Sequence, residues 1–156
     1  VREAASLALF STWMMASAAT ANTQAAYLCK LGSSFGERVG GACAQGAAFL
    51  QSMAHAVAMA AQVAGGLARS GASNEERVRL MAQACECRSV ALETEKWFTR
   101  LLRAVEDASP DDSARVMAEQ LAYAAGICRL VTAAVDGVEQ DLQAPPTSDR
   151  QIIYVV

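Results

Sequence analysis

Two stretches of this chain, Ala4 to Cys29 and Val39 to Ala68, contain no Asp, Glu, Lys or Arg, whereas charges recur every few residues from Glu75 onward. A helix without charge on any face is ordinarily covered, by protein or by lipid. The chain must therefore fold so that a long uncharged half is packed, and its periodicity says how. Ala, Leu, Val and Met dominate, aromatic residues are few, and two of the three prolines form Pro145-Pro146 near the end. That composition builds long helices rather than sheets.

Four segments carry a helical apolar period. The first, about residues 3–31, places Phe10, Met14, Ser17, Ala21, Gln24, Leu28 and Leu31 on one stripe, with Leu9, Trp13, Ala16, Thr20, Thr23 and Tyr27 beside it. Gly32-Ser33-Ser34 breaks it, and Ser34 with Glu37 is spaced as a capping box for a second helix over about 34–69. Gly40-Gly41 permits a later start. The seam of that helix is Val39, Ala42, Gly46, Phe49, Met53, Ala56, Ala60, Val63 and Leu67.

Ser70 to Ser73 reads as a turn, and Ser73 with Glu76 as the capping box of a third helix over about 74–107. Its seam is Leu80, Ala84, Cys87, Ala91, Thr94, Phe98, Leu101 and Val105. Ser109-Pro110-Asp111-Asp112 stops it and starts a fourth helix over about 110–143, with Ser at the cap and Pro at the first helical position. Met117, Leu121, Ala124, Cys128, Val131, Val135, Val138 and Leu142 form the last seam. Four such helices with short turns predict an all-α, antiparallel up-down-up-down bundle over residues 1–144, with shallow left-handed crossings. Residues 145–156 remain as a short extended C-terminal tail.

The chemistry classes narrow quickly. No Lys/Arg cluster is dense enough to follow a phosphate backbone, so nucleic acid is not an expected partner. A di-metal carboxylate bundle needs inward acids and Glu-x-x-His pairs, which the first two helices lack. The five cysteines are an odd number, and none has a CxxC or zinc-type spacing. They read as reduced thiols, which suggests an intracellular or organellar reducing compartment. Cys85 and Cys87 point apart on a helix and cannot chelate one ion.

Cys87, Cys128, Met14 and Met53 count to similar heights, so a soft-metal or cofactor-holding bundle is a third, weaker reading. Packed thiols and gap-filling methionines are the plainer one, and neither a cofactor nor a metal site is expected. Cys29 and Cys43 flank the first turn and would be level only if that loop reached Gly41. The single histidine, His55, falls on an outer strip, so no Ser or Cys nucleophile has a base beside it. An enzyme is not expected.

What remains is a surface. On the second helix Gln51, His55, Ala58, Gln62 and Gly65 are expected to face outward, and on the first helix Ser11, Ala18, Asn22 and Ala25 to face the same way. These residues are neutral and mostly small. The expected role is a non-catalytic structural or adaptor subunit that docks this hairpin against protein subunits of a larger complex, or against itself. The alternative is a membrane-associated or inserting hairpin of translocator or pore type, since the uncharged runs are long enough to span. Gln45, Gln51, His55 and Gln62 would burden such a span, and Leu and Ile are scarce in it.

The apolar ending Ile152, Ile153, Tyr154, Val155 and Val156 is a second candidate contact, able to add a strand to a neighbour. If Val156 is a natural terminus, a groove taking apolar residues and a carboxylate would suit it. With Val at position 1 the chain reads as a processed form or an excised piece. Residues 7–21 imitate the apolar part of a secretory signal, but no basic stretch precedes them, so they are read as helix.

Overall fold

A computed structural model of the chain describes residues 2–108 and 111–143. It is an all-α four-helix bundle: α1 (Arg2–Gly32), α2 (Glu37–Ser70), α3 (Asn74–Ala108) and α4 (Asp112–Gln143), with a 3-10 turn at Ser33–Phe35. Consecutive helices are neighbours, and α1 closes the ring against α4. Pairs across each seam show that all four neighbours run antiparallel. Ser11 meets Ala61, Gly46 meets Phe98, Arg88 meets Asp136, and Gln24 meets Gln120.

Helix starts and stops have local causes. Gly36 and Gly71 adopt positive φ, at 87° and 80°, a conformation that costs Gly nothing sterically. Gly71 also donates its N–H to Leu67 O and so closes the end of α2. Ser73 Oγ accepts the Glu76 N–H at 3.2 Å, as the α3 capping box requires. The other two predicted caps differ. Ser34 does not cap α2: its hydroxyl donates to Leu31 O, the 3-10 turn uses up the residues before Gly36, and α2 starts at Glu37. At α4 the cap is Asp111, whose Oδ1 accepts the Ala114 N–H at 2.7 Å, so the helix begins at Asp112. Ser109 and Pro110 lie outside the described residues.

The α3 seam is buried at every expected position except Leu101, which is half-buried, and the α4 seam at every one except Leu142. In α1 the first stripe is core, but its predicted companion is not. Leu9 and Tyr27 are more than 40 % exposed, and the stripe widens on the other side, through Leu7, Ala18, Ala25 and Gly32. In α2 the expected seam is buried at Gly46, Met53, Ala60 and Leu67, but Ala42, Phe49, Ala56 and Val63 give way to the residues after them, Cys43, Leu50, Val57 and Ala64, and Ala47, Ala54 and Ala61 are buried besides.

One feature explains both displacements. Ser11, Ala18, Ala25 and Gly32 recur every seven residues along α1, and Gly40, Ala47, Ala54 and Ala61 do so along α2. The two rows face each other: Ser11 Oγ donates to Ala61 O at 2.6 Å, and a Cβ placed on Gly40 would lie 3.0 Å from Gly32 O. A Cβ on Gly32 would lie 2.6 Å from Cys43 Cβ, and one on Gly65 2.9 Å from Ser11 Oγ. Small side chains let the two backbones approach and gain dispersion contacts that larger residues would block. The α1–α2 and α3–α4 hairpins are accordingly packed more closely within themselves than against each other.

Polar ties close the rest. Arg77 of α3 reaches Glu3 of α1 at 2.6 Å, and Ser6 donates to Asp141 Oδ2 at 2.9 Å, both near the start of α1. Gln24 donates to the Gln120 side chain at 3.0 Å further along the α1–α4 seam.

Candidate interaction surface

The structure divides the expected outward strip in two. Gln51, His55 and Gln62 of α2 and Asn22 of α1 are exposed, Ala58 is half-buried, and Met15 of α1 is 42 % exposed beside them. The antiparallel pairing sets Asn22 near the level of Gln51. Ala18 and Ala25, expected outside, are buried in the α1–α2 contact. Ser11 and Gly65, also expected outside, are half-buried against each other across that contact. The physical reason is the close approach of the two helices, which draws these small positions into the seam. Ile152 to Val156 lie outside the described residues.

The resulting outer face of the hairpin holds neutral amides, an imidazole, alanines and a methionine, and no charged side chain between Glu3 and Lys30 or between Arg38 and Arg69. The α3–α4 side contrasts with it. Arg88 bridges Asp136, at 2.8 Å, and Glu139, and Arg129 bridges Glu95 at 3.1 Å. Exposed apolar residues there, such as Val78, Leu92 and Val116, are interleaved with these charges.

A second surface was not anticipated from the sequence. Between the ties at Gln24–Gln120 and Ser6–Asp141, α1 and α4 leave a groove of about 570 Å³. Trp13, Ser17 and Thr20 line one side, and Tyr123, Ile127 and Leu130 the other, with Gly126 opening the middle. The sequence signal was the α1 stripe through Trp13, Ala16 and Thr20. It marks this groove rather than core.

Four of the five thiols are packed or paired, and Cys29 is exposed. Burial pushes Cys87 up to about 11 and Cys128 up to about 12, with Glu86 and Glu95 respectively adding to it. The ladder Cys85–Glu139, Arg88–Asp136, Glu95–Arg129 sets Cys87 opposite Gly137 and Cys128 opposite Lys96. Nine residues of helix, about 14 Å at 1.5 Å each, therefore separate their heights. The equal heights expected for a soft-metal pair are not found, and no group of three His, Cys, Asp or Glu among the described residues is placed to hold a metal.

Cys43 is also pushed up, by burial and then by Cys29 nearby, and its Sγ lies 3.8 Å from Met117 Sδ. Cys85 is exposed, but its thiol donates to Glu139 Oε1 at 3.2 Å, which holds the proton on and raises its pKa.

Among the described residues, three segments are long and apolar enough to cross a membrane by length and composition: Arg2–Phe35, α2 and α4. Comparison of the chain with protein-family models, with curated proteins and with solved structures finds no match.

Proposed function

We propose that this chain is a non-catalytic structural or adaptor subunit that docks into a larger protein assembly, or onto a second copy of itself, through the outer face of the α1–α2 hairpin. The observation that carries the reading is that face: Met15, Asn22, Gln51, His55 and Gln62 exposed on two closely packed helices with no charge across them. A protein partner suits it better than lipid does. The exposed amides and imidazole need hydrogen-bond partners, which another protein supplies and a hydrocarbon interior does not. The apolar segment from Ile152 to Val156 is the second docking element in this reading.

The test is the mass of the native and purified protein in solution, together with a paired Gln51→Glu/His55→Glu variant. Association that is at least tenfold weaker in the variant, with unchanged helicity, supports the assignment. A chain that is monomeric at all concentrations and co-purifies with nothing from its source removes it.

A membrane-active hairpin is the second reading, favoured by the three segments long and apolar enough to span. Its test is flotation with vesicles of neutral and anionic lipid. Protein that remains entirely in the aqueous fraction excludes it.

A further inference from the structure

The groove between α1 and α4 is lined mainly by apolar side chains, and the chain carries its own candidate occupant. We propose that the C-terminal segment Ile152–Val156 docks in this groove of its own chain. The inference is independent of the docking role of the α1–α2 face. It makes the tail's docking to a neighbour conditional on release from the groove of its own chain.

Two observations and one general argument converge. The first is chemistry. Trp13, Tyr123, Ile127 and Leu130 offer aromatic and branched aliphatic walls, with Ser17 and Thr20 as the hydroxyls among them. The segment Ile-Ile-Tyr-Val-Val brings aliphatic and aromatic side chains and no charge. In an extended strand Ile153 and Val155 point to one face, and Ile152, Tyr154 and Val156 to the other. One face can therefore fill the groove while the other lies along its rim. Gly126 lines the groove without a side chain to fill it.

The second observation is reach. The groove spans Leu130 to Ala122 on α4, so it begins about 20 Å back from Gln143 and ends about 32 Å back, at 1.5 Å per residue. Ile152 is nine residues beyond Gln143 and Val156 thirteen, so at up to about 3.3 Å per extended residue they reach roughly 30 and 43 Å. Allowing for the reversal, the apolar run is delivered to the groove and the polar residues Thr147 to Gln151 are left as the span. Pro145-Pro146 follows Gln143 after one residue, Ala144, and proline does not continue a helix.

The third is competition. A segment tethered by so short a span has an effective concentration in the millimolar range at its own groove. A neighbouring copy at micromolar concentration presents the same groove far more dilutely, so the intramolecular site fills first.

Disulfide trapping in the full chain tests this. In a background with the exposed thiols removed (Cys29→Ser/Cys85→Ser), Ala122→Cys is combined with Tyr154→Cys and treated with a mild diazene oxidant, which takes up the two thiol hydrogens as the disulfide forms. The expected result is an intramolecular cross-link whose rate does not change over a tenfold range of protein concentration. It should form at least tenfold faster than with a control thiol at exposed Ser52 of α2. A cross-link found only between chains, or one no faster than the Ser52 control, overturns the proposal.

An independent measurement uses the full chain carrying Ile153→Asp/Val155→Asp, which keeps the bundle sequence intact. This variant should bind a labelled synthetic peptide of residues 149–156 at least tenfold more tightly than the unaltered chain, whose groove is already filled. Adding Ala16→Glu and Ala122→Glu, both at exposed positions, should abolish that gain. Equal binding by the two chains, or a gain that survives the added charges, overturns the assignment.

Discussion

At the scale of single residues, glycines show most plainly which contacts are close. Gly46 faces α3 so tightly that an added Cβ would lie 2.9 Å from Phe98 Cε1 and 3.0 Å from Trp97 Nε1. Phe98 is buried and Trp97 is held edge-on to Phe49 at a centroid separation of 5.3 Å, so neither ring can yield freely. Gly66, in the same helix, has nothing within 4 Å of such a Cβ. Gly46→Ala should therefore cost about 1–3 kcal/mol through overpacking. Gly66→Ala should gain about 0.5–1 kcal/mol from helix propensity. Urea unfolding of both variants checks the opposite signs.

The thiols supply a second residue-scale outcome. Cys29 and Cys85 are exposed, but only Cys85 is held protonated by a carboxylate. Alkylation at pH 8 followed by peptide mass analysis should label Cys29 first and Cys85 more slowly. Glu139→Gln should accelerate Cys85, because the acceptor of its proton loses its charge. Cys87 and Cys128 should resist until the protein unfolds.

Their folded pKa values, about 11 and about 12, lie above the unfolded thiol value. The unfolded chain therefore releases these protons first, and the stability they contribute is complete below about pH 8.5 and lost as pH rises through the folded values. Thermal midpoints between pH 7 and 11 should fall only on the alkaline side. A Cys87→Ala/Cys128→Ala variant, less stable throughout, should lose less over that alkaline range.

At the scale of elements, the caps separate what the sequence could say from what it could not. Ser73 and Glu76 were readable because a side chain three residues ahead of an N–H is a local arrangement, and α3 starts where they place it. Ser34 and Glu37 have the same spacing, yet Ser34 falls in a 3-10 turn and a positive-φ glycine, Gly36, stands between that turn and Glu37. Asp111 caps α4 through its Oδ1, so Asp111→Ala should cost about 1 kcal/mol and Asp111→Asn much less. Circular dichroism melts would show the difference.

The seams follow the same logic. Those of α3 and α4 were legible because charges mark their outer faces. In α1 and α2 no charge distinguishes inside from outside, so Leu9 and Tyr27 looked like core while Ala18 and Ala25 looked like surface. The heptad row of small residues was in the sequence, but alanine alone does not say whether it is small to admit a neighbour or merely unremarkable.

At the scale of the whole molecule, the bundle is two hairpins, closer within than between. Hydrogen exchange should report this as two cooperative units, with amides along the α1–α2 contact exchanging together and later than those at the ends of α1 and α4. Uniform protection across all four helices would contradict it. The exposed, uncharged side of one unit and the ion-paired side of the other also give the molecule two unlike faces. The fold class was legible at this scale, whereas the groove was not, because it depends on how far α1 and α4 stand apart between two polar ties.

The facing rows at Ser11, Ala18, Ala25 and Gly32 and at Gly40, Ala47, Ala54 and Ala61 carry a consequence for how this protein can vary. Where main chains nearly touch, a longer side chain meets the opposite helix. In a saturation library scored for folded protein, Gly32 and Gly40 should tolerate little beyond Gly and the other six sites little beyond Gly, Ala and Ser, while the exposed positions beside them accept almost any neutral residue.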